Sequence, residues 1–142
     1  HNDYRFDNVV LNQDNPFEVI GVLDWEMATI GDPLMDLGNS LAYWIEADDE
    51  GPFQMLRRQP THQPGMLTRK EVVAYYAEKS GRKIDNFDFY EIYGLFRLAV
   101  IVQQIYYRYY HGQTKDKRFA AFGHAANYLE KRCQRLIEAS DL

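Results

Sequence analysis

The sequence contains one cysteine, Cys133, and no long apolar run. A single cysteine excludes a disulfide within the chain and suits a reducing compartment such as the cytoplasm. No stretch approaches the roughly 20 apolar residues that a membrane-spanning helix needs. The net charge is −5, so charge gives no reason to expect nucleic acid or an anionic membrane surface as a partner.

Sequence patterns of several other kinds of site are also absent. His62, His111 and His124 each lack a second metal ligand at the spacing of a zinc site. No Gly-x-Ser-x-Gly turn or Cys-His pattern suggests covalent catalysis. With 142 residues, 46% of them apolar, the chain has the size and composition of one globular domain that buries roughly 70% of its unfolded surface.

The first 37 residues carry most of the chemistry. Two predicted strands, 9–11 and 17–23, flank a turn rich in Asn, Asp and Pro. Asp24 follows the second strand, and a carboxylate there is costly to bury unless a cation pairs with it. A hairpin returns the chain to its start, so we expect Asp24 to lie near Asn8. A metal ion is the expected partner of these oxygens.

Helices are predicted after the hairpin. Asp32 is a good N-cap and Pro33 a good first helical residue. A stripe of apolar residues at helical spacing then predicts a core-facing helix, with Asp36 on its opposite side. The members of this stripe are Leu34, Leu37, Leu41 and Ile45.

The rest of the chain alternates a long loop with three further helices. Residues 47–67 are rich in acids and prolines and read as a loop that is either functional or disordered. A capping box at Thr68 opens a helix that closes at Ser80-Gly81. A helix over about 87–111 is apolar around most of its circumference, which predicts a buried central helix. The last helix is predicted near 117–138.

The N-terminal motifs resemble those of the aminoglycoside phosphotransferase and choline kinase-like superfamily, relatives of the protein kinases. Its HGDxxxxN motif appears here as HNDYRFDN, its metal segment as Val22-Leu23-Asp24-Trp25-Glu26, and its GDPxxDL element as residues 31–37. The wording of these motifs is most similar to the acyl-CoA-dehydrogenase-associated branch. Asn2 replaces the usual glycine, and Asn tolerates the left-handed backbone that the loop requires.

This resemblance implies a role for each motif residue. Asp3 would receive the proton of the substrate hydroxyl, and Arg5 would meet the transferred phosphate; the alternatives are a surface carboxylate that caps a turn and a solvated Arg paired with Asp7. Asn8 and Asp24 would hold Mg²⁺ and the phosphates of ATP, or less favourably GTP.

Other positions near the motifs are left with two interpretations each. Glu26 either supports the metal or caps the following segment, and Asn8 could instead bond its own loop. His1 and Asp36 would brace the loop, against a direct part in catalysis for His1 and a solvated carboxylate for Asp36. Either the 47–67 loop or a cluster of tyrosines could contact the acceptor; aromatic packing is the alternative for the cluster, whose members are Tyr106, Tyr107, Tyr109 and Tyr110.

The implied fold class is α+β and mainly α, the C-terminal lobe portion of a protein-kinase-like fold with a short β-hairpin and about four helices. Residues 1–37 would form the catalytic and metal segment and residues 38–142 a helical subdomain. In the family, the nucleotide-gripping lobe precedes the catalytic loop. We therefore expect that lobe to lie outside this chain and the 142 residues alone to be inactive.

The expected reaction is transfer of the terminal phosphate of the nucleotide to a hydroxyl of a small metabolite. The resemblance to the acyl-CoA-dehydrogenase-associated branch implies a hydroxyacyl compound as one candidate for this metabolite. Two alternatives use the same residues. One is a non-catalytic binding or regulatory module with the same fold, and the other is a metal-dependent phosphoesterase that uses water.

Overall fold

The computed structural model describes all residues from 1 to 142. It contains one two-stranded antiparallel sheet and five α-helices, which confirms the α+β, mainly helical fold class. The elements are β1 (Val9–Leu11), β2 (Val19–Val22), α1 (Pro33–Leu41), α2 (Gly51–Gln54), α3 (Arg69–Ser80), α4 (Asp88–Tyr110) and α5 (Phe122–Ala139). Short 3₁₀ turns occupy Phe6–Asn8, Trp25–Met27 and Lys117–Ala121.

The hairpin forms where the sequence predicts it, with a shorter second strand. Val9 pairs with Val22 and Val10 with Gly21, and a bulge follows before Leu11 pairs with Val19. The bulge leaves Ile20 without a partner on β1, because an extra residue interrupts the ladder, and β2 covers residues 19–22 of the predicted 17–23 strand. The pairing of Val9 with Val22 brings the two ends of the hairpin together, as predicted.

α1 begins as its sequence predicts. The Asp32 carboxylate accepts a hydrogen bond from the Leu34 backbone N–H at 2.9 Å, and Pro33 occupies the first turn. Tyr90 on α4 also donates its hydroxyl to Asp32 at 2.9 Å. The helix ends at Leu41, so Ile45 continues the apolar stripe from the turn beyond it and is itself buried.

The core forms where α4 and α5 pack together and against the end of α1. Leu95, Leu98 and Val102 of α4 meet the apolar face of α5, and Phe53 of α2 closes one side. The α5 members of this core are Ala126, Leu129 and Cys133.

α4 differs from the prediction of a helix buried around most of its circumference. Phe89 and Phe96 are 50% and 60% exposed, so only one face of the helix is in the core. The apolar composition of α4 did not show which of its faces packs against the other helices. α5 likewise begins at Phe122 rather than near Lys117, because the preceding residues form a 3₁₀ turn capped by Asp116.

The segment 47–67 is folded in the structure. Of the two interpretations given above, a functional loop or a disordered one, the structure does not support disorder. It contains α2, and its Phe53, Gln59 and Thr61 are buried. The Thr61 hydroxyl donates to the Ile45 carbonyl at 2.8 Å. Thr68 then forms the predicted capping box with Glu71, which begins α3.

A buried ion network fastens this segment to two helices. The Asp49 carboxylate accepts from the Arg69 guanidinium of α3 at 2.6 and 3.0 Å and from Arg132 of α5 at 3.0 Å. The Glu46 backbone N–H also donates to it at 2.8 Å. Burial by itself would raise the pKa of Asp49, but these hydrogen bonds and the two guanidinium charges hold that pKa below its usual value.

The backbones of α1 and α4 touch at two glycines. A Cβ on Gly94 would overlap the Gly38 carbonyl, and a Cβ on Gly38 would overlap the Tyr90 carbonyl. Neither position therefore accepts a side chain without moving a helix. This contact sets the distance between the two helices that support the N-terminal loop.

We expect Gly94→Ala to destabilise the fold by about 1–3 kcal/mol, because the added methyl group must push α1 and α4 apart. Urea unfolding followed by circular dichroism measures the change. Gly51→Ala is the matched control, since a Cβ at this helical glycine meets nothing within 4 Å. An equal stability of Gly94→Ala and the parent protein would show that the helix contact is looser than described.

None of the helices in this structure is both long enough and apolar enough to cross a membrane.

Candidate functional site

Asp3 and Asn8 are joined within the N-terminal loop. The Asn8 side-chain amide donates to the Asp3 carbonyl at 2.8 Å and to the Asp3 carboxylate at 3.2 Å. Asn8 is only 8% exposed, so these bonds fix its orientation. The loop bonding that was the alternative for Asn8 is therefore present, and it uses only the amide nitrogen. The side-chain oxygen of Asn8 accepts no hydrogen bond from the protein.

Asp24 lies beside Asn8 through the base of the hairpin. The Leu23 backbone N–H donates to the Asn8 carbonyl at 2.8 Å, so Asp24 is the next residue after a direct contact. Asp24 adopts a left-handed backbone, with φ of 64°, and its side chain caps nothing. Such a backbone is uncommon outside glycine, and Asp is among the residues that tolerate it best. The carboxylate is exposed and free of protein hydrogen-bond donors.

His1 connects the loop to the same strand end. Its Nε2 lies 2.8 Å from the Leu23 carbonyl, and the Asp3 backbone N–H donates to its Nδ1 at 3.2 Å. Its ring also packs on Trp25, with centroids 4.7 Å apart. These contacts confirm the bracing role predicted for His1.

Asp36 braces the loop from α1. Its carboxylate accepts from the backbone nitrogens of His1 at 3.0 Å and Asn2 at 2.8 Å. Asn2 has a φ of 64°, the left-handed conformation that its sequence position predicts. The Asn39 amide, also on α1, donates to the Asn2 side chain at 3.2 Å. The interpretation of Asp36 as a brace is confirmed, and its alternative as a solvated carboxylate is not.

Arg5 contacts two carboxylates. Its Nη2 lies 3.2 Å from Asp3 and 3.4 Å from Asp7, and its guanidinium lies 4.8 Å from the centre of the Tyr43 ring. The pairing with Asp7 that was the alternative for Arg5 is thus present. The side chain is mostly buried rather than solvated, so a positive charge is held directly beside Asp3. Burial, in turn, raises the pKa of Tyr43 above its usual value, which keeps that hydroxyl neutral.

Glu26 lies in the 3₁₀ turn after Asp24 and is exposed, with no side-chain hydrogen bond. The structure contains no cluster of three or more His, Cys, Asp or Glu side chains arranged to hold a metal ion. The predicted set combines two carboxylates, Asp24 and Glu26, with the amide of Asn8.

Two supporting residues were not predicted from the sequence. The Gln59 side chain is 6% exposed, accepts from the Phe6 backbone N–H at 2.9 Å and donates to the Tyr43 carbonyl at 3.2 Å. Nothing in the sequence around Gln59 indicates this role. Arg97 of α4 donates to the Asn2 carbonyl at 2.7 Å. The sequence did contain a sign of this role, because Arg97 is the only charged residue between Glu91 and Arg108 in an otherwise uncharged part of the helix.

The tyrosine cluster at the end of α4 shows contacts among its own members and with His111. Tyr106 packs on Tyr110 with centroids 6.1 Å apart, and Tyr107 lies 4.1 Å from the ring of His111. Aromatic packing therefore involves Tyr106, Tyr107 and Tyr110, although Tyr107 and Tyr110 are 54% and 72% exposed, and contact of the cluster with the acceptor stays a prediction.

We expect Asp36→Ala to destabilise the fold by about 1–3 kcal/mol, because two backbone N–H groups lose their acceptor. Chemical unfolding of the full-length protein measures this loss. Asp48→Ala is the control, since Asp48 is exposed and makes no hydrogen bond. Equal stability of the two variants would mean that Asp36 does not hold the loop.

Comparison with solved structures defines the class of this fold. The whole chain superposes on a crystal structure of a Ralstonia eutropha protein assigned as an aminoglycoside phosphotransferase, with a TM-score of 0.80 and 26% identity. The match covers 100% of this chain and 43% of that one. The fold is that of the kinase-like phosphotransferases.

Comparison with family models identifies the family. Residues 1–72, which include the hairpin, the loop and α1, match the model of the phosphotransferase enzyme family. The chain belongs to that family, which confirms the superfamily resemblance drawn from the motifs.

The names of curated relatives are consistent with the acyl-CoA-dehydrogenase-associated branch of the family. The chain is 37% identical to acyl-CoA dehydrogenase family member 10 of Mus musculus over 121 residues, and 31% identical to family member 11 of Homo sapiens over 124 residues. Each alignment covers 82% of this chain. The chain spans only 11% and 15% of the lengths of these two relatives.

Proposed function

We propose that the protein transfers the terminal phosphate of ATP, or less favourably GTP, to a hydroxyl group of a small metabolite. The observation that supports this proposal is the pair of contacts that Asn8 makes, through its side chain with Asp3 and through its backbone carbonyl with Leu23, the residue before Asp24. Membership of the phosphotransferase family supports the reaction class.

The residues present suit a magnesium ion. Mg²⁺ prefers a few hard oxygen ligands and keeps several waters. The Asn8 side chain bonds to Asp3 only through its amide nitrogen, so its oxygen is left without a hydrogen-bond donor from the protein. Asp24 offers a free carboxylate. Asn8 and Asp24 would hold the ion with the nucleotide phosphates, and Glu26 would support it. The ion would neutralise charge that develops on the transferred phosphate.

Asp3 would accept the proton of the attacking hydroxyl. Phosphoryl transfer through a loose transition state needs a carboxylate positioned at the nucleophile more than it needs a strong base. The Asn8 amide and the Arg5 guanidinium both contact the Asp3 carboxylate and so fix its position. Arg5 would also stabilise negative charge on the transferred phosphate, for which it must leave one of its two carboxylate partners.

The acceptor we favour is a hydroxyacyl compound. The two curated relatives named above carry acyl-CoA dehydrogenase names, and an acyl compound that bears a hydroxyl would join that chemistry to phosphorylation. We further propose that the groups that grip the nucleotide are supplied from outside residues 1–142. The single, unpaired cysteine is compatible with a place in the cytoplasm.

The test is an assay of the full-length protein with labelled ATP or GTP, Mg²⁺ and a panel of hydroxylated metabolites. A phosphorylated product that requires Mg²⁺ supports the proposal. Release of free phosphate alone would favour a phosphoesterase, and no turnover with retained nucleotide binding would favour a binding module. The 142 residues alone, assayed in parallel, are expected to be inactive.

A further inference from the structure

Asn2 in the N-terminal loop has a hydrogen-bond partner for each of its four nitrogen and oxygen atoms. Its backbone N–H donates to the Asp36 carboxylate at 2.8 Å, and its carbonyl accepts from Arg97 at 2.7 Å. In the side chain, Oδ1 accepts from the Asn39 amide at 3.2 Å, and Nδ2 donates to the Met27 carbonyl at 3.0 Å. The two ends of the side-chain amide therefore contact different parts of the fold.

The bond from Asn2 to Met27 joins the N-terminal loop to the segment after Asp24. Met27 ends the 3₁₀ turn that begins directly after Asp24. Among residues 26–31, only Met27 makes hydrogen bonds to residues before 22 or after 31. The second of these bonds comes from Arg97, whose Nη2 lies 3.4 Å from the Met27 sulfur. The attachment of this segment by hydrogen bonds therefore depends on one residue.

Asp24 lies between two connections to the N-terminal loop. On one side, the Leu23 backbone N–H donates to the Asn8 carbonyl at 2.8 Å. On the other side, the connection is made by the Asn2 amide. Because the Asp24 carboxylate has no hydrogen-bond donor in the protein, these two connections of the backbone set where it lies.

The backbone of Asn2 does not by itself require an asparagine. Its φ is 64°, a left-handed conformation that glycine adopts at no steric cost and that Asn tolerates. Glycine would also keep the two backbone bonds to α1 and α4. Asn adds the amide group, and the Met27 carbonyl orients that group because only the amide nitrogen can donate.

We infer that Asn2 is a positioning residue, which holds the turn after Asp24 against the N-terminal loop and so fixes the distance between Asp24 and Asp3. The inference rests on the proposed function, in which Asp3 receives a proton and Asp24 holds the metal ion. Phosphoryl transfer depends on the placement of the metal ion and the nucleophile. A turn released from the loop would allow Asp24 to move, so metal affinity and the transfer rate should both fall.

Asn2→Gly tests the inference, because it removes the amide and keeps the backbone conformation available. Titration of the full-length protein with Mn²⁺ in the presence of ADP, followed by electron paramagnetic resonance, measures metal binding without turnover. We expect Asn2→Gly to weaken Mn²⁺ binding about tenfold, as substitutions of residues that support metal ligands do. The kcat should also fall about tenfold or more, with an unchanged KM for the acceptor. The thermal unfolding midpoint should stay close to that of the parent protein.

Asn12→Gly is the matched control. The Asn12 side chain also makes two hydrogen bonds, donating to Glu18 at 2.7 Å and accepting from the Asp14 backbone N–H at 2.9 Å. It lies in the turn between β1 and β2, at the opposite end of the hairpin from Asp24. This variant should keep the Mn²⁺ affinity and the kcat of the parent protein.

The outcomes separate this inference from the proposed function. Weaker Mn²⁺ binding by Asn2→Gly, with unchanged binding by Asn12→Gly, supports the inference even if no acceptor is phosphorylated, in which case only the proposed function fails. Equal Mn²⁺ affinity and kcat in Asn2→Gly and the parent would overturn the inference and leave the proposed function in place. Loss of the fold in Asn2→Gly would also overturn it, since the side chain would then serve stability alone. A parent protein that binds no Mn²⁺ with ADP would overturn both.

Discussion

Asp3→Asn is expected to lower the rate of phosphoryl transfer by about 10²- to 10⁴-fold, the usual contribution of a positioned general base. Asn keeps the shape of the side chain but cannot accept the proton of the acceptor hydroxyl. It also removes the negative charge that Arg5 contacts at 3.2 Å. Steady-state kinetics of the full-length protein, with an acceptor that the parent protein phosphorylates, would measure the loss, and thermal unfolding would show that the variant is folded.

Asp14→Asn is the control for this experiment. Asp14 lies in the exposed turn of the hairpin, and its side chain makes no hydrogen bond. Its replacement should leave the rate unchanged. If Asp3→Asn retained the parent rate as well, Asp3 could not be the group that receives the proton.

Asp49→Ala is expected to destabilise the fold by about 3–5 kcal/mol, the usual cost of removing one partner of a buried ion pair. The Asp49 side chain is only 4% exposed and contacts both Arg69 and Arg132. Arg69 would retain Glu46 at 3.4 Å, whereas Arg132 has no other carboxylate partner. Urea unfolding monitored by circular dichroism and by tryptophan fluorescence would measure the loss.

The matched control is Asp85→Ala. Asp85 pairs with Lys83 at 2.8 Å, but both side chains are largely exposed. Exposed pairs contribute about 0.2–1 kcal/mol, so this variant should lie close to the parent protein. Similar losses for the two variants would contradict the buried character of the Asp49 network.

The same network predicts how stability depends on pH. The pKa of Asp49 is lower in the folded protein than its usual value of about 3.9. The stabilisation is therefore fully present above about pH 5 and is lost as the pH falls through the lower folded-state pKa. Unfolding free energies between about pH 6 and pH 2.5 should fall towards acid, and more steeply for the parent than for Asp49→Asn. Parallel curves would show that Asp49 does not contribute.

The sequence predicted those parts of the fold that depend on local rules. Capping by Asp32 and Thr68, the hairpin and the limits of α3 all follow from short-range backbone chemistry, and the structure confirms them. The exposed face of α4 could not be predicted in this way, because the sequence of an apolar helix does not show which of its side chains pack against other parts of the fold. The order in residues 47–67 also depends on Asp49 and Gln59, whose partners lie far away in sequence.

In the candidate site, too, the contacts that depend on local rules could be predicted and the contacts between distant residues could not. The contact between Asn8 and the end of β2 could be predicted because a hairpin brings its own ends together. The supports supplied by Gln59 and Arg97 could not, since they are 53 and 95 residues from their partners in the loop. Asp3, Arg5, Asn8, Asp24 and Glu26 remain predictions as functional residues until they are tested by substitution.

The touching backbones at Gly38 and Gly94 give the molecule a fixed reference point. α1 carries Asp36 and Asn39, α4 carries Arg97, and all three reach Asn2. A larger residue at either glycine would spread the two anchors and stretch the loop between them. The position of the N-terminal loop is therefore set by a contact in which no side chain takes part.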